Sequence, residues 1–226
     1  MSHLKRLNAP KAWPIKRKVQ TFTTRPKPGP HKLTEAVSLN FLLRDMLQLT
    51  KTTKETKKAL TSGNIVINGI PRKDHKFTVG ILDTVSVVPT KEQFLIVFSP
   101  SGRLQAKKMK SAMEGHFAKI VNKTIVKKKK VQLNLHNGAN LLVDKDAYST
   151  GDTLIMEKSK VKKHLKFEKG ATIYLIGGKH KGVSASLDDV HLMNNMQKHR
   201  ITFKFGKDTF ETLKEFAFVI DKPLDN

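Results

Sequence analysis

Residues 52–69, TTKETKKALTSGNIVING, predict a capped helix that leads into a β-hairpin. Thr52 and Glu55 have the spacing of a capping box, in which each side chain accepts a hydrogen bond from the other residue's backbone N–H. Gly63 is suited to the position after the helix, where the backbone often takes a positive φ. The start and the end of this helix are therefore both predicted from local sequence.

The elements on either side are predicted by alternation and by helical spacing. Ile65–Ile67 predicts a strand, and Asn68-Gly69 predicts a tight turn, because both residue types tolerate positive φ. Residues 84–87, TVSV, alternate in the way of a second strand. Upstream, residues 39–49, LNFLLRDMLQL, repeat their apolar positions at helical spacing, and Ser38 is placed to cap that helix.

Lysines share one face of the predicted second helix. Lys54, Lys57 and Lys58 align because residues three and four apart are neighbours on a helix, while Thr56 and Leu60 fall opposite. A lysine-rich face is usually a solvated one. Here the charge of the whole chain favours a face that meets phosphate.

The chain of 226 residues has 43 Lys and Arg against 19 Asp and Glu, a net charge of +24. Such a charge favours an anionic partner, namely nucleic acid, an anionic membrane face or an acidic protein. No apolar run is long enough to cross a membrane, and the first residues lack the apolar core of a signal peptide. The absence of Cys excludes disulfides, thiolate nucleophiles and Cys-ligated zinc.

The charge is steeply graded along the chain. Residues 1–40 have a net charge of +8 and residues 91–130 of +9, whereas residues 171–226 have only +1. A charge that serves solubility alone would be spread evenly. The gradient therefore predicts that the front of the chain is embedded in the polyanion and that the end faces water or protein.

The first forty residues combine basic side chains with five prolines and little apolar periodicity. Such a segment buries too little apolar surface to offset its ordering entropy, so we expect it to be disordered alone and ordered on RNA. Trp13, the single tryptophan, either stacks on a base or packs internally, and we favour stacking. The cations expected to contact phosphate in this segment are Lys5, Arg6, Lys11, Lys16, Arg17, Lys18, Arg25 and Lys27.

Two short helices, the second basic, followed by GNIVING and then VGILDTVSV, resemble the small RNA-binding module named after bacterial ribosomal protein S4. The resemblance covers residues 41–90. It implies that the second helix and the Asn-Gly turn press on RNA backbone. The positions that match the module's RNA-contacting ones are Arg44, Lys54, Lys57, Lys58, Asn68, Gly69 and Arg72.

Residues 91–168 are predicted to be rich in β-strand, because apolar or alternating runs are separated by glycine turns. The predicted strands are residues 94–98, 119–126, 131–135, 140–143 and 153–156. A predicted hairpin tip between two of them consists of Lys127, Lys128, Lys129 and Lys130. This tip is either a solvated loop or a contact that enters an RNA groove.

Residues 167–182, FEKGATIYLIGGKHKG, resemble a KOW motif, the hairpin of a small SH3-like barrel found in ribosomal and transcription-elongation proteins. The resemblance implies a strand at residues 172–176 and a turn at Gly177-Gly178. Lys179 and Lys181 at this turn either touch rRNA with one edge of the barrel or are simply exposed, and both interpretations stay open.

The order of these parts resembles the S4e family of ribosomal proteins, which belong to the small subunit of archaea and eukaryotes. The resemblance spans essentially the full chain, and the lack of a longer C-terminal extension favours the archaeal branch. It implies an α+β, mostly β fold in four parts: a basic extension (1–40), the S4-type RNA-binding module (41–90), a central β domain (91–168) and a KOW SH3-like barrel (169–226). The implied function is that of a cytoplasmic ribosomal constituent which binds folded small-subunit rRNA through phosphate contacts, beside neighbouring ribosomal proteins.

Two other functions are weighed against this one. A free transcription or translation factor can contain a KOW module, and an RNA-modifying enzyme can contain the two-helix module. An enzyme needs a catalytic group, but the nine His are scattered without a tight metal-ligand spacing, and Gly177-Gly178-Lys179 lacks the spacing of a phosphate loop. We therefore expect no enzymatic activity, cofactor, metal, small-molecule substrate or membrane partner.

Overall fold

The computed structural model describes residues 3–109, 113, 115–126, 130–144, 146–157, 160–191, 193, 198–206 and 208–224. The chain divides into two compact units, residues 1–98 with 102–116 and residues 99–101 with 117–226. The fold is α+β and mostly β, as expected, and the α-helices of the described residues lie in the first unit.

The N-terminal extension contains three short strands. β1 (Leu4–Lys5) pairs antiparallel with β2 (Phe22–Thr23), and a 3₁₀ turn over Arg6–Asn8 follows β1. β3 (Ala36–Ser38) is fully buried and pairs with a later strand of the first unit. The extension is therefore built into the first unit by backbone hydrogen bonds.

The first predicted helix is present but ends earlier than expected. α1 (Leu39–Phe41) continues as a π-helix over Leu42–Met46, short of the predicted end at residue 49. Ser38 caps α1 as predicted, since its Oγ accepts a hydrogen bond from the Phe41 N–H at 3.3 Å.

The second helix matches its prediction closely. α2 (Thr53–Thr61) has the predicted capping box: Thr52 Oγ1 accepts from the Glu55 N–H at 3.2 Å, and Glu55 Oε2 accepts from the Thr52 N–H at 3.4 Å. Gly63 follows the helix with a φ of 75°. Because both ends are fixed locally, the face of α2 on which each residue lies is well defined.

The other strands of the first unit are β4 (Ile65–Ile67), β5 (Ile70–Pro71), β6 (Thr78–Gly80), β7 (Thr84–Val87), β8 (Glu92–Phe98) and β9 (Leu104–Lys108). β6 pairs with β3, and the rest form an antiparallel sheet in the order β5-β4-β7-β8-β9. β8 and β9 thus extend the sheet that begins with the predicted hairpin. The domain boundary expected at residue 90 therefore divides a hydrogen-bonded sheet.

The second unit begins with the strands β10 (His116–Ile125), β11 (Val131–Leu135), β12 (Asn140–Val143), β13 (Thr153–Glu157) and β14 (Lys160–Leu165). They form a sheet in the order β12-β11-β10-β13-β14. Its buried face includes Ile120, Leu133 and Leu154, each fully buried. The bounds of β11 and β12 are those that the sequence predicted.

A second sheet follows in the same unit. Its strands are β15 (Thr172–Leu175), β16 (Ser184–His191), β17 (Arg200–Phe205), β18 (Asp208–Leu213) and β19 (Ala217–Val219). The order is β18-β17-β16-β15-β19, and a 3₁₀ turn over Lys214–Phe216 precedes β19. Ile173, Leu187 and Phe203 lie in its core. β15 confirms the predicted strand at residues 172–176, apart from its last residue.

Trp13 holds the extension against the first unit. Its side chain is 2% exposed, its ring centroid lies 5.1 Å from that of Phe41, and its Nε1–H donates to the Leu33 carbonyl at 3.3 Å. The burial of Trp13 contradicts the prediction that it stacks on a base. The extension is folded in this structure, whereas the sequence predicted that it is disordered without RNA. The indole ring packs inside the fold, where its apolar surface is removed from water.

Two arginines of the extension act as internal cross-links. Arg6 is 4% exposed, and its Nη1 donates to the Lys16 carbonyl at 3.0 Å. Arg17 Nη1 donates to the carbonyls of Leu7 and Ala9, both at 2.9 Å. An irregular backbone needs partners for its carbonyl groups, and a guanidinium provides several donors at once. The extension thus gains the hydrogen bonds that it lacks as secondary structure.

A buried carboxylate joins the extension to the rest of the first unit. Asp83 accepts hydrogen bonds from the Gly80 N–H and from Asn68 Nδ2, each at 2.7 Å. Its Oδ2 lies 2.9 Å from Nε2 of His31, and the two side chains are 4% and 5% exposed. A Cβ at Gly80 would lie 2.2 Å from the His31 ring, so the imidazole can lie here only because residue 80 is glycine.

Folding favours the charged forms of both Asp83 and His31. Burial opposes the charge on His31, but the Asp83 carboxylate outweighs it and raises the pKa of His31 above its ordinary 6.5. Burial alone would raise the pKa of Asp83, but His31, Asn68 and the Gly80 N–H lower it below 3.8. The pair is therefore at full strength between these two ordinary values and weakens on either side of them.

We predict that His31→Gln lowers the free energy of unfolding by about 3 kcal/mol near pH 6, because it leaves a buried carboxylate unpaired. Since the pKa of His31 is raised by folding, this contribution is complete below pH 6.5 and is lost as the pH rises through the raised value. Urea unfolding of both proteins from about pH 5.5 to about pH 9 measures the difference.

The control is His191→Gln, which removes an exposed histidine. It should leave the difference from the unaltered chain small at every pH. A difference for His31→Gln that stays constant across the whole pH range would contradict the account of the pair.

Candidate nucleic-acid interface

The lysines of α2 face solvent as predicted. Lys54, Lys57 and Lys58 are exposed, whereas Thr56 and Leu60 on the opposite side are fully buried. The burial of Thr56 and Leu60 anchors the helix to the first unit, and the capping box fixes its start. These three lysines therefore project from a rigid support into water, where a polyanion can reach them.

Other cations lie beside this helix. Burial, followed by the positive charge of Lys57, lowers the pKa of His75, and Lys76 and Lys27 act in the same direction. The lowered pKa favours the neutral form of His75, so the positive charge of this region comes mainly from lysine. We call Lys27, Lys54, Lys57, Lys58 and Lys76 the α2 surface.

The acids near the α2 surface already have partners within the protein. Asp74 forms an ion pair with Lys27 and also accepts from the Lys76 N–H at 2.9 Å. Glu55 accepts from the backbone N–H groups of Lys51 and Thr52, which lowers its pKa. The α2 surface therefore keeps a net positive charge. Three of its five lysines belong to α2, and the acid of that helix, Glu55, is used in the capping box.

Arg44 and Arg72 are held by protein groups. Arg44 donates from Nε and Nη2 to Asp45 at 3.0 and 2.8 Å. The guanidinium of Arg72 lies 4.5 Å from the centre of the Phe77 ring, within the range of a cation–π contact. Both side chains are half-buried, so each has a structural use besides the contact with RNA that the resemblance implies.

The Asn68-Gly69 turn is formed as predicted, with φ values of 50° and 79°. The Asn68 side chain, however, points back into the fold: besides its bond to Asp83, its Oδ1 accepts from the Thr84 N–H at 2.9 Å. Gly69 is exposed, so the turn presents its backbone outward. The structure therefore assigns Asn68 to the turn itself and leaves Gly69 at the surface.

The predicted cations of the extension separate into two groups. Arg6 and Arg17 are engaged by carbonyl groups, as described above, and Trp13 is buried. The exposed members are Lys5, Lys11, Lys16, Lys18, Arg25 and Lys27. A backbone carbonyl and a phosphate compete for the same donors, so Arg6, whose Nε, Nη1 and Nη2 all donate within the protein, is the weakest candidate for contact with RNA.

The predicted residues of the second unit are only partly placed. Lys127, Lys128 and Lys129 lie outside the described residues. Lys130 is exposed and pairs with Asp144 at 3.1 Å. Between β15 and β16, Lys179 is exposed and Lys181 is half-buried.

The turn between β15 and β16 also shows why glycine is needed at its start. A Cβ at Gly177 would lie 2.5 Å from the Phe216 ring, and Phe216 accepts a backbone hydrogen bond from the Ile176 N–H at 2.9 Å. The sequence predicted a turn at Gly177. The structure shows that glycine is required there because the turn passes close to the 3₁₀ segment before β19.

The second unit contains a buried lysine that no pattern in the sequence predicted. Lys119 is 7% exposed, and its Nζ donates to the carbonyls of Glu215 and Ala217 at 2.9 and 2.6 Å. Burial, then the charge of Lys214, lowers the pKa of Lys119 to about 8. Lys119 therefore ties β10 to the start of β19 and the turn before it, and it is not a candidate for contact with RNA.

Comparison with known proteins identifies the family. The RS4NT (NUC023) domain matches residues 2–34, and the Ribosomal family S4e matches residues 90–163. A small ribosomal subunit protein eS4 from Methanococcus maripaludis is 37% identical over 98% of this chain and 96% of its own length. The chain belongs to the S4e family of ribosomal proteins. A second relative of the same name, from Methanosphaera stadtmanae, is 36% identical over 98% of this chain and 94% of its own length.

A solved structure supports the same fold. The 30S ribosomal protein S4e from Thermoplasma acidophilum matches this S4e-family chain with a TM-score of 0.69, at 23% identity, over 82% of this chain and 95% of that one. The two family matches also fit the architecture. Residues 2–34 contain Trp13, Arg6 and Arg17, which fix the extension, and residues 90–163 include β8 to β13 and most of β14.

The described part of this S4e-family chain contains no group of three or more His, Asp or Glu side chains that can hold a metal ion. No helix of that part is long and apolar enough to cross a membrane.

We predict that the combined change of Lys54, Lys57 and Lys58 to Glu weakens binding to a small-subunit rRNA fragment by about tenfold or more, because it replaces phosphate contacts with repulsion. The fold should remain intact, since exposed charges contribute little to stability. Filter binding measures the affinity, and circular dichroism measures the thermal midpoint.

The matched control changes Lys91, Lys160 and Lys222 to Glu, three exposed lysines outside the α2 surface. It alters the net charge by the same amount. Equal losses in the two triple variants would show that only net charge matters. An unaltered affinity in the α2 variant would place the contact elsewhere.

Proposed function

We propose that this chain is a structural constituent of the small ribosomal subunit that binds and stabilises folded rRNA through phosphate contacts. The observation that supports this most directly is the α2 surface. Three of its five lysines lie on a helix fixed at both ends, and the acid of that helix, Glu55, serves in its cap. The similarity to eS4 proteins named for the small ribosomal subunit points to the same partner.

The mode of recognition that we propose is by shape. Aromatic residues make up only 7% of the chain, and the single Trp is buried, so stacking platforms for single-stranded bases are scarce. Lysine contacts to phosphate position a protein on RNA without reading bases. The chain would then recognise the backbone of folded rRNA helices.

We assign the parts of the chain as follows. The two helices and the β4–β5 hairpin support an S4-type RNA-binding module at residues 41–90, to which residues 1–40 and the β8–β9 pair add structure. In residues 169–226, β19 pairs with β15 after a 3₁₀ turn, an arrangement that supports a KOW SH3-like barrel. Residues 91–168 otherwise supply the central β domain.

The low net charge of residues 171–226 supports a place for the barrel near the surface of the subunit. Apolar side chains are exposed on the sheet of β10 to β12, with Ile125 83% and Leu142 58% exposed. They support contacts with neighbouring ribosomal proteins as a second kind of partner. The proposed location is the cytoplasmic ribosome, and the proposed role is binding without catalysis.

Binding to a small-subunit rRNA fragment should weaken steeply with salt, since each neutralised phosphate contributes about 0.7–0.9 to the slope of log affinity against log salt concentration. Titrations at several potassium chloride concentrations measure this slope. A slope near zero would reject recognition through phosphate.

Sedimentation of the chain with small subunits after a high-salt wash separates a constituent from a free factor. We expect the chain to remain with the subunit. Its complete release under conditions that retain other small-subunit proteins would favour a free RNA-binding factor with a KOW module.

A further inference from the structure

A cleft of about 320 Å³ lies in the first unit, between the extension and the start of β9. Its lining consists of Lys11, Trp13, Ile15, Arg17 and Arg103. Three of these five side chains are cations, and none is an acid. Like charges gathered around one opening repel each other, so the arrangement is most stable when an anion lies among them.

The cleft is assembled by a contact between distant parts of the chain. The Leu104 N–H donates to the Ala12 carbonyl at 2.7 Å, which places Arg103 beside the extension. Leu104 is fully buried and begins β9, so this contact is anchored in the main sheet of the unit. The buried Trp13 fixes the other side. The cations therefore meet through the fold and not through sequence proximity.

Arg17 is held in place before any ligand arrives. Its Nη1 donates to three carbonyls, including those of Leu7 and Ala9, and its Nη2 donates to the Pro10 carbonyl at 3.1 Å. Its Nε has no hydrogen-bond partner among the described residues. A guanidinium oriented in this way loses little conformational entropy when it binds an anion.

Lys11 and Arg103 complete the set. Both are exposed, and within the described part of the chain neither has an ion-pair partner. Many other cations of the first unit differ in this respect: Arg44 is paired with Asp45, for example, and Lys108 with Glu92. The cleft thus brings Lys11 and Arg103, which have no ion-pair partner in the described part of the chain, close to Arg17, whose guanidinium is already oriented.

We propose that Lys11, Arg17 and Arg103 form a binding site for a phosphate group. Phosphate fits because it offers several acceptor oxygens to donors that approach from different directions, and arginine matches its geometry. The group can belong to an RNA backbone or to free phosphate. If the phosphate belongs to RNA, the inference rests on the proposed function, and the site then fixes the extension at one defined position on rRNA.

The single tryptophan lines the cleft, so its fluorescence reports on this site in the full chain. The chain is titrated with inorganic phosphate, against sodium chloride at equal ionic strength, and separately with a small-subunit rRNA fragment. The test variant combines Lys11→Gln with Arg103→Gln, and the control combines Lys32→Gln with Lys91→Gln, which lie outside the cleft and remove the same charge. Arg17 is left unchanged because it also supports the extension.

We expect phosphate to change the Trp13 signal, and the test variant to raise the half-saturating concentration by about tenfold or more, while the control leaves it unaltered. The same pattern with the RNA fragment assigns the phosphate to RNA. A response to inorganic phosphate alone supports the site but assigns it to free phosphate.

The inference is overturned if RNA binds the unaltered chain while neither ligand changes the Trp13 signal and the two double variants behave alike. The proposed function would survive that result. If the unaltered chain fails to bind the RNA fragment at all, the proposed function fails instead.

Discussion

The first unit depends on one buried carboxylate. Asp83 holds the backbone of Gly80, the Asn68 side chain of the hairpin turn and the His31 imidazole of the extension. A buried charge is tolerated only when it is paired and hydrogen-bonded, so these partners cannot be removed independently. The position of the extension and the shape of the turn are therefore linked through the same side chain.

The basic residues of this chain do two different jobs. Arg6, Arg17 and Lys119 donate to backbone carbonyls and replace the secondary structure that irregular segments lack. The lysines of α2 face water and leave their charge available. Net charge alone cannot separate these roles, because an internal and an external cation count equally in a sum. Only the cations of the second kind can contribute fully to binding a polyanion.

Local chemistry allowed much of the fold to be predicted. The capping box at Thr52, the turn at Asn68-Gly69 and the exposed lysines of α2 all follow from short-range spacing. β9 and β14 were missed because both are edge strands, and lysine-rich edge strands lack the apolar alternation that reveals a strand. The ordered extension was missed for another reason: the contacts of Trp13 and the arginine hydrogen bonds join residues far apart in sequence, which no periodicity shows.

The central claim is that the extension is a folded part of the RNA-binding unit before RNA is present. Hydrogen exchange of the RNA-free chain tests it most directly. The Arg6 N–H donates to the Thr21 carbonyl and the Lys27 N–H to the Lys76 carbonyl, each at 2.9 Å. The account predicts that these two amides exchange slowly, at rates comparable to amides of the β4–β7 pair. Exchange of both at the rate of an unstructured peptide, with the β4–β7 pair protected, would contradict it.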